Sequence, residues 1–268
     1  MPMTILAVPT DPRTARACLD AAAVAAQLEP TSRIIVLHVR TEPESLILPT
    51  EEVMTMQRQE QLEAAAASLA QAIHAQFDEW ERDAQVRAAW DEVVGTVPAE
   101  VTSHGKAADL VVLTHPLEHE GQDALHAAMF ATGRLLLYVP PAAPSHFGKH
   151  ICIAWKECDQ AKAAVAAALP WLKGATRVSV LAIGSDQPPE RPRALLDILD
   201  GHGVKADPVP VPSDGEVLGA QILKEARAIG ADCIVMGAYR HGELIERLLG
   251  GVTRHMLQLA DLPLLLHR

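Results

Sequence analysis

Residues 236–257, "MGAYRHGELIERLLGGVTRHML", hold the side chains and glycines best suited to chemistry. Gly237 closes the apolar run "CIVM", and Arg240, the pair Gly250–Gly251, Val252 and Thr253 follow. A glycine at a strand end lets backbone approach a ligand closely. A helix starting near Val252 would turn free N–H groups and a positive dipole end toward a phosphate, and Thr253 would add a hydroxyl. The competing arrangement is one kinked helix with Leu244, Leu248, Val252, Met256 and Leu259 as its apolar stripe. In a continuous helix each glycine costs about 1 kcal/mol relative to alanine. Spacing alone leaves the phosphate turn and the packed helix equally open.

Other chemistry finds less support. Residues 115–126, "HPLEHEGQDALH", gather His115, His119 and His126 with Glu118, Glu120 and Asp123. Histidines and carboxylates can hold zinc, but this spacing matches no strong signature. An acidic, solvated loop opening a helix is the better reading, and no metal is expected. Trp155 and Trp171 read as packing residues. His241 and His255 lack a partner carboxylate or nucleophile at fixed spacing, with Glu243 and Glu246 on a solvated helix face. The chain contains no Gly-x-Ser-x-Gly, His-Glu-x-x-His or Walker sequence.

Short apolar runs supply the elements that must position these residues. They are "TILAV" (4–8), "RIIVLHV" (33–39), "AQVRAAW" (84–90), "DLVVL" (109–113) and "LLLYV" (135–139), separated by Ala-rich helical segments at 15–28 and 51–81. The pattern restarts with "HICIAW" (150–155), the helix "AKAAVAAALPWL" (161–172), "RVSVLAI" (177–183), "VKADPVPV" (204–211), "DCIVM" (232–236) and "LPLLLH" (262–267). Nearly continuous apolar strands alternating with helices predict parallel sheets covered on both faces. "AADLVVLTHP" (107–116) echoes "GADCIVMGAY" (230–239), an Asp opening the strand in each. The expected architecture is therefore α/β, with two tandem, open, doubly wound domains, each a five-stranded, mainly parallel sheet sandwiched by helices. The first covers 1–141 and the second 150–268, with 142–149 as linker, the end of the Pro-, Gly- and small-residue stretch "VPPAAPSHFGK" (139–149). The first repeat is longer, with 73 positions from Val36 to Asp109 against 52 from Val180 to Asp232. Its extra helix has Thr50 as N-cap candidate, followed by Glu51 and Glu52 in the first turn.

The 268 residues carry a net charge of -11, placed unevenly. Residues 1–143 hold 9 Lys/Arg and 20 Asp/Glu, whereas residues 144–268 hold 14 of each. Neither half has the basic surface of a nucleic-acid binder. No run of about 18 apolar residues predicts a membrane span, and the N-terminal sequence lacks signal-peptide character. Cys18, Cys152, Cys158 and Cys233 show no CxxC spacing and read as reduced thiols in a cytoplasmic protein.

"GAYRH" followed by "LLGGVTRHMLQLADLPLLLH" resembles the universal stress protein family. The resemblance spans the chain as two tandem domains, is most specific from Asp232 to His267, and implies an adenine nucleotide alpha-hydrolase-like fold. Nucleotide-binding members carry Gly-x-x-Gly, nine residues, then Gly-(Ser/Thr). Gly237 matches the first glycine and Gly250 the third, whereas Arg240 replaces the second and Gly251 the Ser/Thr. Lys156 stands where ATP-binding members carry a nucleoside-contacting Asp. In the first repeat Pro9 takes that place, with Asp11 two residues on, and Thr114 replaces the first glycine without a paired Gly-Gly beyond it.

The resemblance implies a stress-response binding and signalling protein, not a catalyst of turnover. Its second domain would take ATP, a related adenine nucleotide or another phosphorylated small molecule through Gly237, Arg240, Gly250, Gly251, Val252, Thr253 and Lys156. A partner-binding stress protein without nucleotide, and a slow ATP hydrolase, are the alternatives. Pairing of the two domains within the chain is expected, with "LLLYV" and "PLLLH" adjacent and antiparallel. Homodimerisation stays open, and neither nucleic acid nor membrane is expected as a partner.

Overall fold

The computed structural model describes residues 2–41, 56–83, 86–141, 146–183, 192–211, 216–238 and 251–268. The chain divides into two compact units, Met1–Arg134 and Leu135–Arg268.

The first unit runs β1 (Thr4–Ala7), α1 (Pro12–Ala26), β2 (Arg33–Thr41), α2 (Met56–Asp83), β3 (Ala88–Gly95), α3 (Val97–Ala107), β4 (Leu110–Thr114) and α4 (His119–Phe130). Its strands lie in the order β3-β2-β1-β4, all parallel. The second unit opens with β5 (Leu135–Val139) and continues with β6 (His150–Ala154), α5 (Asp159–Ala167), α6 (Leu169–Gly174) and β7 (Arg177–Ile183). It ends with α7 (Arg193–Gly201), β8 (Ala206–Val211), α8 (Leu218–Ala228), β9 (Cys233–Gly237), α9 (Gly251–Leu259) and β10 (Leu264–His267). Here the order is β8-β7-β6-β9-β10-β5, parallel except that β5 runs antiparallel to β10. Leu136, Leu137 and Tyr138 pair with Leu266, Leu265 and Leu264, so "LLLYV" and "PLLLH" do lie side by side. This pairing sets the division between the units at Arg134–Leu135, ahead of the segment 142–149.

Local chemistry explains most element boundaries. Asp11 caps α1, its Oδ1 accepting from the Arg13 N–H at 2.8 Å, with Pro12 in the first helical position. The segment read as one helix over 161–172 is two, α5 and α6, meeting at Ala168. Pro170 has no N–H to give the carbonyl four residues back, so the helix breaks there. Pro208 and Pro210 sit in β8, which pairs with β7 on one side, an edge location where missing donors are tolerated. The third strand is later than the 84–90 expected from sequence. β3 covers Ala88–Gly95, since Trp90 packs among His74, Phe77 and His38 and draws the strand toward α2. The Thr50 cap, Glu51 and Glu52 lie outside the described residues.

The echo between "AAD" and "GAD" has a physical cause. The Asp232 carboxylate accepts the backbone N–H groups of Gly148, Lys149 and His150 at 2.9, 3.0 and 3.1 Å, fixing the start of β6 against β9. Asp109 does the same for β1, accepting from the Thr4 N–H at 2.8 Å. Cys18, Cys152 and Cys233 are buried free thiols, and burial pushes the first two up to about 12 and Cys233 well up. They serve as small core residues.

Two expectations follow from this packing. Asp232→Ala should lower stability by about 1–3 kcal/mol, read as a lower urea midpoint, and more than Asp109→Ala does. Equal midpoints would refute the clamp. His38 is buried against Trp90, with ring centroids 5.9 Å apart, and burial holds its imidazole below the ordinary value, with Glu92 opposing. Below about pH 6.5 the unfolded chain takes up a proton that folded His38 resists, so acidification destabilises the fold. The thermal midpoint should fall between pH 7 and pH 5, and His38→Gln should flatten that slope. An unchanged slope would remove His38 as its cause.

Candidate functional site

In both units the strand order reverses beside the first strand, between β1 and β4 and between β6 and β9. The carboxyl edge at such a switch point is where an open α/β sheet binds ligands. The two edges are built differently.

In the first unit the chain's own side chains tie the edge shut. Asp11, in the loop after β1, is buried and receives Arg13 Nε at 2.9 Å and Arg13 Nη2 at 2.5 Å. The same Nη2 reaches Glu118, in the loop after β4, at 3.1 Å. The hydrogen bonds from Arg13 hold the Asp11 carboxyl below its ordinary value, and Asp11 in turn raises Arg13. Beneath this bridge, Thr114 Oγ1 donates to Thr14 Oγ1 at 2.9 Å, joining β4 to α1. Thr41, at the end of β2, donates to Glu120 at 2.9 Å. His126 lies against Phe130 with ring centroids 4.7 Å apart. Segment 115–126, a short loop and the first turns of α4, thus engages Glu118 and Glu120 in internal contacts, and no three His, Cys, Asp or Glu among the described residues are arranged to hold a metal.

In the second unit the corresponding edge lacks that bridge among the described residues. β6 ends at Ala154, and Trp155 still donates its backbone N–H to Leu181 O at 2.9 Å. Lys156 follows, exposed. On the neighbouring strand Gly237 ends β9, so the structure brings Lys156 and Gly237 to the same edge. A Cβ on Gly237 would fall 2.6 Å from both Ala161 N and Gln160 C. The glycine lets α5 press directly on β9, a packing role that strand-end position alone does not reveal. Gly251 opens α9, and a Cβ there would meet nothing within 4 Å. Because α9 returns the chain from β9 to the parallel strand β10, its first turn lies at the same carboxyl edge. Val252 is half-buried, and Thr253 is 5% exposed. His255 packs on α8, where Gly219 makes room for its ring. Arg240, Gly250 and His241 lie outside the described residues.

Sequence reading passed over two atoms. Among the described residues, Trp155 Nε1 and His267 Nδ1 are buried side-chain nitrogens without a hydrogen-bond partner. His267 is paired in register with Gly237. The only sequence signal was position, a Trp and a His each closing an apolar strand.

Gly237→Ala should cost about 1–3 kcal/mol through overpacking against α5, seen as a lower denaturant midpoint for the second unit. Unchanged stability would show that α5 yields freely and that close packing is not the reason for the glycine.

Comparison with known proteins places this geometry. Residues 205–268 match the universal stress protein family model. No curated protein sequence matches the chain. The fold is similar to that of a universal stress protein from Archaeoglobus fulgidus, at 12% identity and TM-score 0.69, over 99% of this chain and 96% of that one. It is also similar to a functionally unknown protein from Pseudomonas aeruginosa, at 15% identity and TM-score 0.59, over 98% of this chain and 92% of that one.

Proposed function

We propose that this chain, whose residues 205–268 form a universal stress protein segment within a universal stress protein fold, is a stress-response protein that binds a phosphorylated small molecule of the adenine-nucleotide class in its second unit. The contrast between the two carboxyl edges carries the reading. One is bridged by Arg13 between Asp11 and Glu118; the other presents, among the described residues, Lys156 and the helix start at Gly251.

The chemistry of the second edge suits an anion with an attached ring. Lys156 is an exposed cation, and the first turn of α9 has the N–H groups and dipole sign that favour phosphate. Arg240 belongs to the same sequence motif and adds a second cation. Replacement of the family's Asp by Lys156 and of its second glycine by Arg240 weakens the usual nucleoside contact while raising attraction for phosphate. The activity expected of such a site is binding and release.

Mass spectrometry of freshly purified, undialysed protein should release a phosphorylated nucleoside. In titration calorimetry, Gly250→Val should abolish nucleotide binding while the first unit keeps its fold. Lys156→Asp with Arg240→Gly should strengthen ATP binding and weaken binding of inorganic phosphate. Undiminished ATP binding by the Gly250→Val protein would sink the assignment.

A further inference from the structure

We infer that Tyr138 positions the start of α9 for the ligand's phosphate without touching the ligand; the inference rests on the nucleotide-binding reading of the second unit. Tyr138 lies in β5, beside Leu264, the first residue of β10. That is the amino end of the parallel strands, opposite the edge that carries Lys156, Gly237 and the start of α9. Tyr138 is 1% exposed, and its hydroxyl donates to the Leu257 carbonyl, in the last turn of α9, at 2.7 Å.

The helix depends on such a hold. It has nine residues, too few to be stable alone. Its buried residues are Thr253 and Met256, whereas α8 beside it buries Gly219, Gln221, Ile222, Leu223 and Ala226. The last four carbonyls of a helix receive no N–H from within it, and a donor placed there also meets the negative end of the dipole. Two further contacts fasten this end. His255 packs where Gly219 makes room, and Arg227 binds Asp261 through Nε and Nη2 at 3.0 and 2.7 Å. The Arg227 and Asp261 side chains are 48% and 59% exposed, and an ion pair so open to water contributes little. The Tyr138 bond is shielded from water and holds α9 more firmly.

Geometry carries that hold to the other end of the helix. From Leu257 back to Gly251 the helix rises about 9 Å. A tilt of about 10° at Leu257 would carry Gly251 about 1.5 Å aside, half the length of an N–H···O bond, and misalign the first-turn N–H groups with a phosphate. A Cβ on Gly251 would meet nothing within 4 Å, so no described neighbour braces the helix at that point. The direction of its free N–H groups is therefore set from the Tyr138 end.

Tyr138→Phe keeps the ring and removes only the donor. In the full-length variant, calorimetric affinity for ADP and for inorganic phosphate should each fall about 3- to 10-fold. Hydrogen exchange of the α9 amides should quicken in the free protein. Ser179→Ala is the control: Ser179 is fully buried and bonds with His150 Nε2 at 2.9 Å, joining β7 to β6 away from α9. That variant should also lose stability, yet bind both ligands as wild type does. Equal losses of affinity in the two variants would show that stability, not position, governs binding, and would overturn the inference. Normal binding by Tyr138→Phe would overturn it too, while the nucleotide reading stands. If wild type binds neither ADP nor phosphate, that reading falls and the inference with it.

Discussion

The carboxyl edge of the second unit depends on how β6 is held between β7 and β9. Ile151, Cys152 and Ile153 are all buried, so both faces of the strand are apolar. Such a strand gains little register information from its own pattern, since a one-residue slip exchanges one apolar face for another. Asp232 supplies the missing constraint. Its carboxylate binds three consecutive N–H groups at the amino end of β6 and fixes the strand's phase against β9. Every position further along inherits that phase, including Trp155 and Lys156. An electrostatic contact at one end of the sheet thus places the chemistry at the other.

The two units meet one steric demand in two ways. The first helix must cross the strand on the far side of the switch point. In the first unit that strand ends in Thr114, and the contact with Thr14 is a hydrogen bond between side chains. In the second unit it ends in Gly237, and the helix backbone itself fills the space. The threonine solution ties helix and strand together through polar groups, and the Asp11–Arg13–Glu118 bridge extends that bonding over the edge. The glycine solution uses no polar group and leaves the edge to Lys156 and the start of α9. A single position in the repeat, Thr or Gly, thereby accompanies a polar or a backbone contact between helix and strand.

Much of the fold was legible because the central strands are apolar runs that only a covered parallel sheet accommodates. The Asp opening β4 and β9 was visible as a repeat, although its clamp function needed the bonded partners. Edge features were harder. "AAWDEVVG" mixes charge with apolar residues, as an edge strand does, and its placement follows from Trp90 packing on α2, a long-range contact that no local pattern encodes. The break at Ala168 was signalled by Pro170 and lost beneath the surrounding alanines. At the second carboxyl edge, the position of Gly237 was readable from a strand end and that of Lys156 from the family resemblance. The close approach of α5 was not, because it depends on what lies across the sheet.

Charge gives the asymmetry between the units a consequence beyond packing. Residues 135–143 carry no charged side chain, so the division at Arg134–Leu135 leaves the whole net charge of -11 on the first unit and none on the second. An anionic ligand approaching the first unit meets repulsion, and the cation nearest that edge, Arg13, is already held by two carboxylates. Near the second unit the background is neutral, and Lys156 acts without a sum of like charges against it. At physiological ionic strength such fields extend about 8 Å, so the local composition of each edge decides the sign an incoming phosphate meets. Steric closure and electrostatics therefore act in the same direction at the first edge: Arg13 is bound to two carboxylates and the unit around it is acidic.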